Sequence, residues 1–286
     1  MKAFNFRRAR PDCRASASLA EHQMVGGAPG LQMHASQPCP NKRKLMHPVK
    51  KTARIAGVIY LSMVITGPFS LIYVPDKLIV RGNATATAAN VLAHDTMFRF
   101  AIVAGLFGQV IFICLAIALY RLLSDVSKDW ARLLVGLVLV SAAVGFVNEL
   151  NNLGARILFR GGEFLSVFGK AQLDALGMFF IRLHGQGIVI AEIFWGLWLF
   201  PFGLLVFRSR FLPRFIGVWL MVNCFGYVIL SMTTLFFPAS NDKIFLYMQP
   251  VLFGELAIML YLLIRGANVN ALPAAASLSN SGVQTP

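Results

Sequence analysis

Charge is what this chain has least of. Twelve acidic and 26 basic residues among 286 amount to 13% charged, about half the share of an ordinary soluble domain. The long stretches that hold none exclude a water-soluble globule. Cysteine is equally sparse at four residues. Cys13 and Cys39 lie in the polar N-terminal stretch, while Cys114 and Cys224 stand singly within apolar runs. No CxxC redox or zinc pair exists, and the latter two read as small buried hydrophobes. Nowhere does a complete catalytic, nucleotide or metal motif appear, and no internal repeat of the kind many transporters carry is found. Residues 1–45 also lack the continuous apolar core of a secretory signal peptide.

What the chain has is hydrophobicity: 57% of its residues and a mean hydropathy of +0.67. It is read as an integral membrane protein whose first partner is the lipid bilayer. Positive charge gathers near the N terminus, where residues 1–54 hold eleven basic and two acidic residues and so carry +9 of the net +14. Basic excess beside hydrophobic spans orients a membrane protein, so nucleic acid is not an expected partner.

Three regions follow from composition. Residues 1–49 read as a disordered basic extension, residues 50–266 as the transmembrane domain and residues 267–286 as a disordered tail. Met46 opens the short basic lead His47-Pro48-Val49-Lys50-Lys51-Thr52-Ala53-Arg54 and is the expected natural start. The intact mass of untagged protein checks this, and residues 1–45 found present would reject it.

Six apolar runs each approach the roughly 20 residues that cross a bilayer as helix: Ile55–Val74, Phe100–Tyr120, Leu133–Leu153, His184–Phe207, Phe215–Phe237 and Ile244–Ile264. Uncharged runs of this length must pair their backbone amides internally, and no alternating barrel strands are present. The expected fold class is therefore all-α: a polytopic six-transmembrane-helix bundle, with two short interfacial helices in the outer loops at 83–98 and 164–182. Gly67-Pro68 predicts a kink in the first helix. Pro213 predicts the first turn of the fifth, and Gly161-Gly162 a turn before the second interfacial helix. Asn83-Ala84-Thr85 matches a glycosylation sequon, a weak three-residue signal.

With the N terminus inside, the cytoplasmic ends receive Lys50, Lys51, Arg54, Arg208, Arg210 and Arg214, besides Arg121, Lys128, Arg132 and Arg265. The outer side receives fewer basic residues spread over longer loops. Both termini are therefore expected in the cytoplasm.

Several stretches taken together resemble a known family. They are Ala53-Arg54-Ile55-Ala56-Gly57-Val58-Ile59-Tyr60-Leu61, Ala84-Thr85-Ala86-Thr87-Ala88-Ala89-Asn90-Val91-Leu92 before Phe98-Arg99, Ala171-Gln172-Leu173 ahead of Leu183-His184, and Phe207-Arg208-Ser209-Arg210-Phe211-Leu212-Pro213-Arg214-Phe215-Ile216-Gly217. The set is similar to the bacterial family called domain of unknown function 4386, over about residues 50–265. The resemblance implies a six-helix protein of the bacterial cytoplasmic (inner) membrane. It brings no activity and no catalytic residues, and the N-terminal extension departs from it.

Ionisable side chains inside spans are costly and mark cavities or partners. Counting about 1.5 Å per residue, Glu149 lies some 6 Å below the outer end of the third run, Glu192 about 12 Å below His184, and Glu255 about 16 Å below Ile244. Ser141, Gly145, Asn148 and Asn152 form a small, polar stripe that Glu149 borders. His184, Ile188 and Glu192 recur at four-residue steps, as do Asn223, Tyr227 and Ser231, with Thr234 three further on. The candidate ligand-binding residues are Glu192, Glu255, His184, Glu149, Asn148 and Asn152, lining one outward-opening cavity. The competing account makes the stripes helix packing, seats Glu149 at the headgroups beside Arg156, and gives His184 an interfacial place beside Arg182. Trp195 and Trp198 read as packing.

A small-ligand binding, sensing or transport role is thus the leading expectation, with a small molecule as partner. A non-catalytic structural or partner-assisting component is the alternative. A metal-assisted intramembrane hydrolase built on His184 and the carboxylates ranks below both, for want of clustered His and Asp. No cofactor is implied, an enzymatic activity is not favoured, and metal binding and oligomeric state stay open.

Overall fold

The structure, a computed structural model, describes residues 42–237 and 241–268, with side chains from Val49 onward and, in the last helix, from Phe253. All the elements among the described residues are helical. α1 (Lys42–Pro68) passes through a five-residue π-helical turn, Phe69–Tyr73, into α2 (Val74–Leu78). Next come α3 (Ala84–Ala93), α4 (Asp95–Leu123) and α5 (Lys128–Arg160). A single 3₁₀ turn at Glu163–Leu165 leads to α6 (Lys170–Leu197), α7 (Leu199–Arg208), α8 (Arg214–Phe236) and α9 (Asn241–Ile264).

Five stretches are long and apolar enough to cross a membrane: Val49–Leu78, Asp95–Leu123, Lys128–Arg160, Lys170–Arg208 and Arg214–Phe236. The sixth expected run coincides with α9, whose described apolar part, Phe253–Ile264, is shorter than a span. Among the described residues the protein is thus all-helical, with five stretches long and apolar enough to span a membrane and two shorter apolar helices, Ala84–Ala93 and Phe253–Ile264. Large side chains on the outer faces agree with a lipid solvent, among them Phe100, Phe107, Val147, Leu150 and Phe225, all more than half exposed.

Three expectations need correction. α1 begins at Lys42, inside the stretch read as disordered to residue 49. Residues 1–41 and 269–286, and with them most of the extension and tail, lie outside the described residues. The second interfacial helix is not a separate element, because α6 runs unbroken from Lys170 into the fourth span. The Gln172 side chain caps the Gly169 amide at 2.9 Å, and no proline interrupts the chain before Pro201, so the charges at Arg182 and His184 mark no helix end. Without an N–H, Pro201 cannot donate to the Leu197 carbonyl, and the helix is interrupted at Trp198. From Lys170 to Arg208 the two helices span 39 residues, about 58 Å of helix, well beyond the roughly 30 Å hydrocarbon thickness. Third, Pro213 caps α8 with extended backbone (ψ 122°) and does not enter its first turn.

The expected kink at Gly67-Pro68 takes the form of the π-helical turn. Ser70 donates its hydroxyl to the Thr66 and Gly67 carbonyls, both at 3.2 Å, and so satisfies acceptors beside the proline. Asn83 accepts from the Ala86 amide at 2.9 Å and is the N-cap of α3. That helix packs against α6, with Ala88 and Val91 buried.

Two apolar clusters hold the bundle. One joins Tyr60, Phe112, Leu119, Leu134, Phe202 and Leu220, with Trp198, Ile258 and Leu262. The other joins Val74, Leu78, Val91, Phe98, Phe159 and Ile181 near the α3 end. Close helix approach is paid for with glycine: a Cβ on Gly203 would stand 2.5 Å from the Gly217 carbonyl oxygen, and one on Gly217 2.7 Å from that of Gly203. Gly203→Ala therefore forces α7 from α8 and is expected to cost about 1–3 kcal/mol, read as a lowered melting temperature in detergent. An unchanged melting temperature would show that the helices part without loss.

Candidate functional site

Between the two clusters lies a polar layer around a cavity of about 200 Å³. α1 supplies Thr66 and the π-helical turn Ser70, α4 supplies Gln109 and Phe112, and α5 supplies Asn148 and Glu149. From α6 come His184, Ile188, Ala191 and Trp195, with Trp198 at its end, Tyr227 from α8 and Glu255 from α9. A second cavity, also about 200 Å³, extends toward Val74, Leu78 and Phe98 and shares Ser70, Leu71, Glu149, His184 and Ile188 with the first. Glu149 and His184 thus stand where the two chambers meet.

Helical geometry explains which α6 residues face the cavity. At 100° per residue, Ile188, Ala191, Trp195 and Trp198 all fall within about 40° of His184, whereas Glu192 falls about 80° away. The Glu192 carboxylate accordingly turns toward Ser231 of α8. It is not among the residues lining either cavity.

Of the other five candidates, Asn148, Glu149, His184 and Glu255 line the first chamber, and Glu149, Asn152 and His184 line the second. Glu149 Oε1 lies 3.5 Å from His184 Nε2, and Asn152 Nδ2 donates to Glu149 Oε2 at 2.9 Å. Asn148 Nδ2 donates to the His184 carbonyl at 2.9 Å, and Asn151 Nδ2 donates to Asn148 Oδ1 at 3.0 Å. Glu255 accepts from the Tyr60 hydroxyl at 2.5 Å, and the Tyr227 phenol borders the same carboxylate. Asn152 lines only the second chamber.

The headgroup pairing of Glu149 with Arg156 does not occur. Arg156 grips Asp95 at the start of α4, Nε to Oδ1 at 2.6 Å and Nη2 to Oδ2 at 2.8 Å. Because α5 continues to Arg160, Glu149 sits some 16 Å from that helix end and is buried at 7% exposure. His184 is likewise held within the bundle, where the sequence also allowed an interfacial place beside Arg182.

Glycines make room for these side chains. A Cβ on Gly105 would collide with the Glu149 carboxylate, one on Gly145 with the Gln109 amide, and one on Gly187 with the Asn148 amide. Gly105→Ala is expected to push Glu149 from His184 and to destabilise by about 1–3 kcal/mol. Gly108→Ala, whose nearest neighbour lies at 4.0 Å, should be neutral or slightly stabilising through helix propensity. Equal melting temperatures for the two variants would contradict the close fit.

Sequence reasoning missed Tyr60 and Gln109, single polar groups on otherwise apolar faces. It also read Trp195 and Trp198 as packing alone, although both also wall the cavity. Their four-three spacing with His184, Ile188 and Ala191 was the available signal. Among the described residues, no three His, Cys, Asp or Glu side chains come together as metal ligands, so the hydrolase reading finds no ligand set there.

Fold and cavity together define a polytopic helical membrane protein with a polar chamber between two apolar cores. The chain belongs to the family described as a domain of unknown function (DUF4386), whose model matches residues 55–266, as the stretches quoted above imply. No curated protein and no solved structure matches it.

Proposed function

We propose that the protein is a membrane-embedded receptor or carrier for a small ligand, which it takes into the polar cavity from the outer side. The observation that carries this reading is the cavity itself. An apolar chamber of roughly 150 Å³ already admits a molecule of benzene's size, and this one is larger and presents two carboxylates, an imidazole and two amides. Small, mostly apolar chambers with a few convergent polar groups are the usual form of ligand sites. Polar groups buried in a helix bundle at membrane depth usually line such pathways.

Six spans, with α9 as the sixth, and both termini on the cytoplasmic side of a bacterial inner membrane complete the proposal. One end of the bundle supports it. Asn268 donates its amide to the Phe211 carbonyl at 3.0 Å, and Gly266 abuts Lys50 and Arg54. The start of α1, the α7–α8 turn and the end of α9 thus share a face with Arg208, Arg210, Arg214 and Arg265, the basic face that stays inside. The second chamber extends toward the opposite, α3 end.

Native mass spectrometry of protein gently released from its membranes tests the reading. A small molecule is expected to remain bound to the wild type and to be lost in Glu255→Gln and in His184→Ala. An apo mass for all three, with equal stability, would instead favour a structural component. Ser141 and Asn223, buried polar residues of the two helix stripes, line neither cavity.

A further inference from the structure

Resting on the ligand-binding reading, we propose that the deep chamber takes a small organic cation, a substituted ammonium of about choline's size, held between the Glu255 carboxylate and an aromatic wall. The sign of the charge is the first argument. The two acidic side chains lining the chamber are Glu149 and Glu255, and neither Lys nor Arg is among its lining residues. Glu149 already has His184 and Asn152 as partners. Among the described residues, Glu255 has phenol donors, Tyr60 at 2.5 Å and Tyr227 beside it. A carboxylate in a low-dielectric bundle is costly without a counter-charge, so a positive occupant is the one that these acids would compensate.

The walls supply the second argument. Tyr227 lines the chamber from α8, and Phe112 there meets Trp198 edge to face, with centroids 5.2 Å apart. Trp195 lines the chamber one turn before it. Tryptophan and tyrosine faces attract an ammonium group, most strongly where water is excluded. A metal ion is served poorly here, since three convergent ligands are wanting among the described residues and the Glu255 oxygens are engaged by hydroxyls. An ammonium needs one charge and a set of rings, and those are present. The amide oxygens of Gln109 and Asn148 offer further acceptors on the lining.

Isothermal titration of the full chain in nanodiscs tests this with three probes of one shape: choline, its neutral isostere 3,3-dimethylbutan-1-ol, and the anion 3,3-dimethylbutanoate. Choline is expected to bind at least about tenfold more tightly than the alcohol, and the anion not at all. Glu255→Gln should weaken choline by about tenfold or more, and Trp195→Leu several-fold, so a poorly folding Glu255→Gln does not decide the matter alone. Ser231→Ala, outside the chamber, should leave affinity unchanged. Equal binding of choline and alcohol, or tighter binding of the anion, would overturn the cation assignment while leaving a ligand site in place. No binding of any probe at millimolar concentration would overturn the assignment. An apo mass from native membranes would then remove the ligand-binding reading as well.

Discussion

Trp198→Ala is expected to lower the unfolding free energy by about 3–5 kcal/mol, the largest loss foreseen for any single side chain. Trp198 is only 1% exposed and sits at the junction of α6 and α7. It stacks on Phe202 with centroids 5.3 Å apart, meets Phe112 edge to face and leans on Tyr60. One indole thus ties α1, α4, α6 and α7 together while flooring the cavity. Truncation would merge the chamber with a new void that the rigid helix backbones cannot close. Trp198→Phe, which keeps a ring, should lose far less. Equilibrium unfolding in mixed micelles measures both, and a loss below about 1 kcal/mol for the alanine variant would mean that the cluster repacks freely.

Breaking the clasp between Asp95 and Arg156 comes next in size. The pair is bidentate and only 18% and 24% exposed at the Arg156 and Asp95 side chains, respectively. It joins the start of α4 to the end of α5 across 61 residues of chain. Asp95 also stands in the first turn of its helix and Arg156 near the end of its own, so each charge suits the local helix dipole. Exposed pairs contribute little, but charge-assisted bonds shielded from water are worth roughly 1.5–3 kcal/mol. Arg156→Met or Asp95→Asn should each cost about that much, and the double variant less than the two together. Strict additivity in this double-mutant cycle would show that the two side chains do not couple.

The hydrophobic spans were legible because apolar runs are a local property of the chain. Their ends were less so. Arg182 and His184 suggested a boundary that α6 ignores, since a polar side chain does not stop a helix that has neither proline nor a capping signal. Pro201, inside the fourth apolar run, did break the ladder, yet its effect was hidden by the hydropathy around it. The spacing of His184 and Ile188 correctly placed both on one face. Glu192, one four-residue step further, had rotated off it, because 3.6 residues per turn carries a repeated step of four steadily around the helix. Pairings between helices were not legible at all. Neither Tyr60 with Glu255, 195 residues apart, nor Asp95 with Arg156 leaves any mark on spacing along one helix.

The central claim is that the polar cavity is entered from the outer side while the basic face stays inside. Ser70, which lines both chambers, is the position that tests it, changed to cysteine in a chain whose own four cysteines are replaced. A charged, membrane-impermeant thiol reagent added to intact cells is predicted to modify Ser70→Cys and to spare Arg210→Cys in the α7–α8 turn until the membrane is opened. Labelling of Arg210→Cys from outside, with Ser70→Cys untouched until permeabilisation, would contradict the account.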